Sequence, residues 1–360
     1  LNLSPKQVEA TATLLSNGAT VPFIARYRKE VTSSLDEVAI TAIRDRLAQL
    51  SDLDKRREAI LKSLEDQGKL TDDLKEKIQT AQTLAILEDI YLPFRPKRRT
   101  RATVAKEKGL EPFAYSLFNQ ETPDPCALAE DFVDPEKGVE TIDDAFSGAR
   151  DIIAEWINED DDTRGQMRSF FSEKGEFISK VITGKESDGS KYKDYFDWRE
   201  PARTAPSHRI LAMRRGEKES FLSLRVIPPE DAALTLLEAR FVKGKSPASE
   251  QVKMAAHDSY KRLLSHAMET EVRVETKKRA NSYAIRIFAN NLRQLLMASP
   301  LGQKSILALD PGFRTGCKLV CLNPQGKLMH TDTVFPFQSE KARTEAAGKI
   351  RKFCERFQVE

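Results

Sequence analysis

The 360-residue chain is short of cysteine, histidine and long apolar runs, and each shortage closes off a class of function. Its four cysteines, Cys126, Cys317, Cys321 and Cys354, include no Cys-x-x-Cys pair. That argues against a disulfide framework or a cysteine zinc site and fits a reducing cytoplasm. The four histidines, His208, His257, His266 and His330, lack metal-ligand spacing. No metal site and no cofactor are therefore expected. No run approaches the roughly 20 apolar residues that span a bilayer, and no signal peptide is visible, so a membrane partner is not expected either. The net charge of +3 is too small for bulk attraction to a polyanion, so any nucleic-acid footprint has to be local. With 40% hydrophobic and 31% charged residues, the chain has the composition of a globular protein with core enough for two or three domains.

Before Ser305 the pattern is overwhelmingly helical. Ser4 is an N-cap with Pro5 at the first helical position, Gly18 is placed to end that helix, and Val8, Ala12 and Leu15 form its stripe. A longer helix is predicted over 35–67, where Ile43, Leu50 and Leu64 keep seven-residue spacing and Leu53 and Ile60 mark the partner position. Arg57 stands where that series expects an apolar residue. Gly68 closes the helix and Thr71 caps the next. A second long helix is expected from Val272 to Met297, with Ala280, Ile285, Phe288, Leu292 and Leu295 facing inward. Its length suggests a rigid connection between two domains. Phe221, Leu222, Leu224 and Val226 form a short strand, ended by Pro228 and Pro229.

Two segments concentrate basic charge. In Leu92-Pro-Phe-Arg-Pro-Lys-Arg-Arg-Thr-Arg101, Arg95, Lys97, Arg98, Arg99 and Arg101 crowd together, and Pro93 and Pro96 keep them out of a helix. Arginines displayed on such a loop can fork onto phosphates and fix register without reading sequence. The competing reading pairs them internally with Glu159, Asp160, Asp161 and Asp162, or with Glu88 and Asp89. In Val21-Pro-Phe-Ile-Ala-Arg-Tyr-Arg-Lys-Glu30, Arg26, Arg28 and Lys29 alternate with Phe23, Ile24 and Tyr27, which makes one face basic and the other apolar. A third candidate is Ala205-Pro-Ser-His-Arg209. Ser207 would cap a helix there, and His208 and Arg209 would either meet a phosphate at its N-terminus or form a buried structural cap.

The last chemically loaded stretch is Ser305-Ile-Leu-Ala-Leu-Asp-Pro-Gly-Phe-Arg-Thr-Gly316. The run 306–309 reads as a strand covered on both faces, delivering Asp310 to its end. A strand from Cys317 to Leu322, a turn at Asn323-Pro-Gln-Gly326, a strand from Leu328 and a helix from Glu340 to Phe357 come next. Cys317 and Cys321 share one strand face and are expected to be small buried thiols. This order resembles the opening of a ribonuclease-H-like fold. Nucleases of that type hold two ions about 4 Å apart with several carboxylates. Asp310 alone cannot do this, Glu340, Glu345 and Glu355 lie on the outer helix, and further acids would come from beyond Glu360. Asp310 also suits a turn residue accepting backbone N–H groups, and Asp-x-Gly-x-x-x-Gly resembles the phosphate loop of actin-like ATPases. The chain begins at Leu1 without a methionine and reads as part of something longer at both ends.

Thr20-Val-Pro-Phe-Ile-Ala-Arg-Tyr-Arg-Lys-Glu-Val-Thr32 together with Leu87-Glu-Asp-Ile-Tyr-Leu-Pro-Phe-Arg-Pro-Lys-Arg-Arg-Thr-Arg-Ala102 resembles the Tex family of bacterial transcription accessory proteins. Further matches are Lys106-Glu-Lys-Gly-Leu-Glu-Pro112, Phe132-Val-Asp-Pro-Glu-Lys-Gly-Val139, Lys193-Asp-Tyr-Phe196, Ala205–Arg209 and Leu307–Gly316. The resemblance implies a mainly α fold: a multi-helix N-terminal and central region with a helix-turn-helix element and long spine helices, then the start of a ribonuclease-H-like, YqgF-type α/β domain. The expected division is 1–190 for the N-terminal helical domain, 191–300 for a central helical region with a short β segment, and 301–360 for the YqgF-like part. The family's helix-hairpin-helix and OB-fold modules, credited with most of its nucleic-acid affinity, have no counterpart in this sequence.

The implied role is a nucleic-acid-associated scaffold in transcription or RNA metabolism. Its partners would be RNA or DNA and the transcription machinery, and this part of the protein would not be an enzyme; a monomer is expected, in the cytoplasm that the cysteine usage fits. The alternative is a metal-dependent, resolvase-like nuclease, because Asp310 matches the first catalytic acid of active YqgF and RuvC relatives.

Overall fold

The computed structural model describes residues 3–96, 98–312 and 315–360. Two compact units divide the chain, Leu1–Ala284 and Ile285–Glu360. The first opens with helix Pro5–Ser16, where Ser4 Oγ accepts from the Gln7 N–H at 3.3 Å and Gln7 Oε1 accepts from the Ser4 N–H at 3.0 Å. This reciprocal pair satisfies two donors that have no partner inside the helix. Gly18 and Gly68, at φ of +81° and +64°, turn the chain after the first and the long helix, in a region that costs glycine little.

The long helix is Glu37–Asp66, about 45 Å at 1.5 Å per residue. Asp36 Oδ1 caps it by accepting from the Ala39 N–H at 2.8 Å. Ile43, Leu53, Ile60 and Leu64 are buried as their spacing predicts, whereas Leu50 is 38% exposed. The helix serves two separate cores. Ile40 and Ile43 join Ile24, Ala25 and Leu35, while Leu53, Ile60 and Leu64 join Ile78, Leu87, Ile90 and Tyr91, and Leu50 falls between them. Arg57 interrupts the apolar series for a polar reason. Its Nε donates to the Ile78 carbonyl at 3.1 Å and its Nη2 to the Ala81 carbonyl at 3.0 Å, satisfying acceptors where helix Asp72–Thr80 ends.

The main core of this unit runs from Ala102 to Ala280 through Phe113, Ile152, Phe171, Phe177, Ile210, Val252 and Leu264. It includes a three-stranded antiparallel sheet of β1 (Glu176–Val181), β2 (Asp197–Pro201) and β3 (Leu222–Ile227), in the order β2-β1-β3. Sequence reading located β3 alone. β1, Glu-Phe-Ile-Ser-Lys-Val, buries Phe177 and Ser179 on one face, but its sequence does not alternate apolar with polar residues. β2, Asp-Trp-Arg-Glu-Pro, is a polar edge strand and lacks the alternation as well. Buried Glu269 fastens β3 to helix Ser265–Leu296 by accepting from the Val226 N–H at 2.9 Å and from Arg225 Nε at 2.8 Å.

Ser207 does not cap the helix after it: it is that helix's first residue, Pro206 stands at the cap, and no side chain takes the role. Along helix Ser265–Leu296 only Ala280 of the expected inward stripe is buried: Ile285, Phe288, Leu292 and Leu295 are 67%, 68%, 42% and 74% exposed, and the other covered apolar residues are Met268 and Val272, nearer the start of the helix. Helical spacing tells which residues share a face, not whether another element covers it.

The second unit contains an antiparallel sheet of β4 (Ile306–Asp310), β5 (Cys317–Leu322) and β6 (Leu328–Val334), in the order β4-β5-β6, followed by helix Glu340–Arg356. Asn323 Oδ1 closes the predicted turn by accepting from the N–H groups of Gln325 and Lys327. Cys317 and Cys321 are buried as expected, and Ala346, Ile350 and Phe353 of the helix pack with Cys317, Leu319 and Val334. The expectation that 306–309 is covered on both faces fails. β4 is an edge strand, and Ala308, Leu309 and Asp310 are exposed, Leu309 by 46%. No described helix is long and apolar enough to cross a membrane.

Candidate nucleic-acid interface

The basic loop is built by its prolines and closed by a threonine. Leu92–Phe94 makes one 3₁₀ turn, and Thr100 then caps helix Arg101–Glu107, accepting from the Thr103 N–H at 3.0 Å. Arg95, Arg98 and Arg99 stay outside any helix as Pro93 and Pro96 require. Arg101 departs from that expectation and is the first helical residue, because no proline follows the Thr100 cap. Lys97 lies outside the described residues. Arg95, Arg98, Arg99 and Arg101 are all exposed. Arg99 meets Glu107 at 2.9 Å in a solvated pair worth about 0–1 kcal/mol.

Four of the six acids that could have neutralised this loop bind other arginines. Asp89 is buried between Arg164 Nε and Arg168 Nη2, each at 2.6 Å, and Arg168 Nε continues to Glu271 at 2.5 Å. Glu88 takes the fork of Arg56. Asp160 and Asp162 take Arg240 at 2.9 and 3.2 Å. Internal clamps between helices therefore exist, but they are made elsewhere. Among the described residues, no acidic side chain stands within ion-pair distance of Arg95, Arg98 or Arg101.

The other basic segment forms helix Val21–Tyr27, with Arg28 at a break before helix Lys29–Thr32. Arg26, Arg28 and Lys29 are exposed. The apolar side is divided, contrary to expectation: Ile24 and Ala25 enter the core, whereas Phe23 and Tyr27 are 39% and 63% exposed. Alternation by two belongs to strands. In a helix, positions 23 and 27 share a stripe of their own, and their rings lie 5.6 Å apart. The Arg28 guanidinium sits 5.0 Å from the Phe23 ring centroid, so cation and aromatic surface are presented together.

His208 is exposed, which removes the buried-cap reading. Arg209 is half-buried, with its charge paired to Glu200 at 2.9 Å and its guanidinium 5.2 Å over Trp198. Asp310 ends β4 opposite Lys318. Glu340, Glu345 and Glu355 lie on the helix expected for them. Among the described residues, no group of three or more His, Cys, Asp or Glu side chains is arranged to hold a metal ion. The described residues thus do not fit a two-ion centre.

Sequence reading also missed an aromatic pocket beside this loop, lined by Pro93, Tyr115, Phe118, Trp156 and Phe241 together with the carboxylates of Glu159 and Asp160. Its residues come from distant parts of the chain, and no local spacing joins them.

Three family models match in order: a Tex-like protein N-terminal domain over residues 1–65, a Tex central region-like segment over 120–288, and a Tex protein YqgF-like domain over 304–360. The chain belongs to the Tex family. It is 41% identical to Protein tex of Bordetella pertussis, with 98% of this chain and 46% of that protein aligned. The transcriptional accessory protein Tex of Neisseria gonorrhoeae is 38% identical over 94% of this chain and 45% of its own length. The human S1 RNA-binding domain-containing protein 1 is 28% identical over 93% of this chain and 35% of its own length. The chain spans about half the length of the bacterial Tex proteins it matches.

Proposed function

We propose that this Tex-family chain is a nucleic-acid-associated scaffold acting in transcription or RNA metabolism in the cytoplasm, with no chemistry of its own. The observation that carries the reading is the exposed arginine loop: Arg95, Arg98 and Arg101 face solvent with no described acid in ion-pair distance, while Glu88, Asp89, Asp160 and Asp162 bind Arg56, Arg164, Arg168 and Arg240. Arginines displayed in this way suit phosphate contacts, which supply affinity without base specificity. The names of the gonococcal and human relatives, a transcriptional accessory protein and an RNA-binding-domain protein, support the same direction.

The decisive measurement is the salt dependence of binding to RNA and DNA for the chain and for a variant with Arg98, Arg99 and Arg101 changed to Gln. Weaker binding with a shallower slope supports the scaffold, whereas unchanged affinity and slope in a folded variant would refute this assignment of the loop. Cleavage of branched DNA or RNA in Mg²⁺ or Mn²⁺ that disappears with Asp310→Asn would replace the scaffold by a nuclease.

A further inference from the structure

The aromatic pocket has a volume of 450 Å³, inside the range of about 300–1,000 Å³ usual for ligand sites. Phe118 is its hub, with its ring centroid 5.7 Å from Trp156 at an interplanar angle of 71° and 6.1 Å from Phe241 at 41°. The rings come from helices Glu111–Asn119, Ile142–Glu159 and Glu230–Phe241 of the first unit. Tyr115 also lines the pocket and keeps 62% of its surface exposed. Phe118, Trp156 and Phe241 pack against the main core on one side and are half-buried, and with exposed Tyr115 they form an apolar, π-rich wall.

The charge around the wall selects the occupant. Pro93 belongs to the lining, and the chain continues from it into Arg95, Arg98, Arg99 and Arg101. Lys106 Nζ lies 5.8 Å from the Trp156 ring centroid and Arg240 Cζ 5.7 Å from that of Phe241, and both are already paired, Lys106 with Glu111 at 2.7 Å and Arg240 with Asp160 and Asp162. The lining itself holds two carboxylates, Glu159 and Asp160, and no cation, so an occupant has to present a flat group to the rings and keep its negative charge out on the loop after Pro93, where Arg95 and Arg98 have no described acid within ion-pair distance. Glu159 and Asp160 line the same space, Asp160 holding Thr163 and Arg240 through Oδ2, and a carboxylate accepts from the exocyclic amino group at a base edge.

We propose that this pocket takes one unstacked nucleobase of a single-stranded nucleic acid whose backbone runs over the arginines after Pro93. The inference rests on the nucleic-acid reading above and adds the form of the ligand. A duplex keeps its bases stacked and paired, so the pocket favours single strands, with sequence tolerance because every base has a π face.

The test uses the whole chain with Trp198→Phe, which leaves Trp156 as the sole tryptophan. Three probes are titrated: a short single-stranded oligonucleotide, an abasic strand of equal length, and the duplex. The expected result is quenching of Trp156 by the base-bearing strand, with affinity about 5- to 150-fold above that for the abasic strand. The salt slope should be the same for both strands, since both carry the phosphates. Tyr115→Ala, a change at an exposed position, should reduce that preference.

Equal, salt-dependent binding of both single strands without a Trp156 response would overturn the pocket while sparing the arginine loop. Failure of every probe to bind would overturn both. Quenching by an oligoproline peptide and not by the base-bearing strand would make the pocket a peptide site and end the proposal.

Discussion

Arg164 donates to Asp89 at 2.6 Å, and both side chains are more than nine-tenths buried. The pair joins helix Leu84–Tyr91, which leads into the basic loop, to helix Asp161–Lys174 of the main core. Arg168 shares the other Asp89 oxygen and passes the link on to Glu271. Desolvating these ions is costly, and the cost is offset only while every partner is present.

Asp89→Ala is therefore expected to lower the unfolding free energy by about 3–5 kcal/mol, because it removes the buried carboxylate that two guanidinium groups share and leaves Arg164 only its longer contacts to Glu271 and Asn158. Glu88→Ala, the neighbouring change at a far more exposed pair, should cost about 0–1 kcal/mol. Denaturant titrations of both variants check the contrast. Equal losses would mean that burial does not set the strength of this link.

Arg57→Met keeps a long side chain but removes both hydrogen bonds to the Ile78 and Ala81 carbonyls. A carbonyl left unmet in a partly buried place costs about 1–3 kcal/mol. Helix Asp72–Thr80 should then exchange its amide hydrogens faster than in the parent. Unchanged protection of that helix would show that water replaces Arg57 without loss.

In the variant with Arg98, Arg99 and Arg101 changed to Gln, three phosphate contacts are lost at about 0.7 each for a single strand. The slope of log affinity against log salt should therefore fall by about 2. Thermal stability should be nearly unchanged, since Arg99 has only a solvated partner. A drop in melting temperature without a change in slope would mark the loop as structural.

Alkaline pH gives a separate test. Tyr260 is 4% exposed, and burial pushes its hydroxyl up to about 12. The unfolded chain loses this proton near pH 10 and the folded chain near 12, so between them the unfolded state binds fewer protons and stability falls as pH rises. Burial raises Tyr192 and Tyr195 as well, so the fall has several sources. Tyr260→Phe should flatten part of it, read as the change in denaturant midpoint between about pH 9 and pH 11. An identical fall in both proteins would assign the effect to other groups.

What the sequence by itself determined here is local. The capping at Ser4 and Thr71, the turns at Gly18 and Gly68, the Asn323 hairpin, the shielded Cys317 and Cys321 and the family's motif order could all be read from residues a few positions apart. Only the tertiary structure decided which apolar faces are covered: Leu50, Ile285, Phe288 and Leu309 follow good patterns yet remain exposed. It also decided which arginine meets which acid. Asp89 chose Arg164, 75 residues away, over the loop a few residues ahead of it. Helix caps and turns act through hydrogen bonds within a few residues, whereas burial and ion pairing depend on surfaces that come together only when distant segments pack.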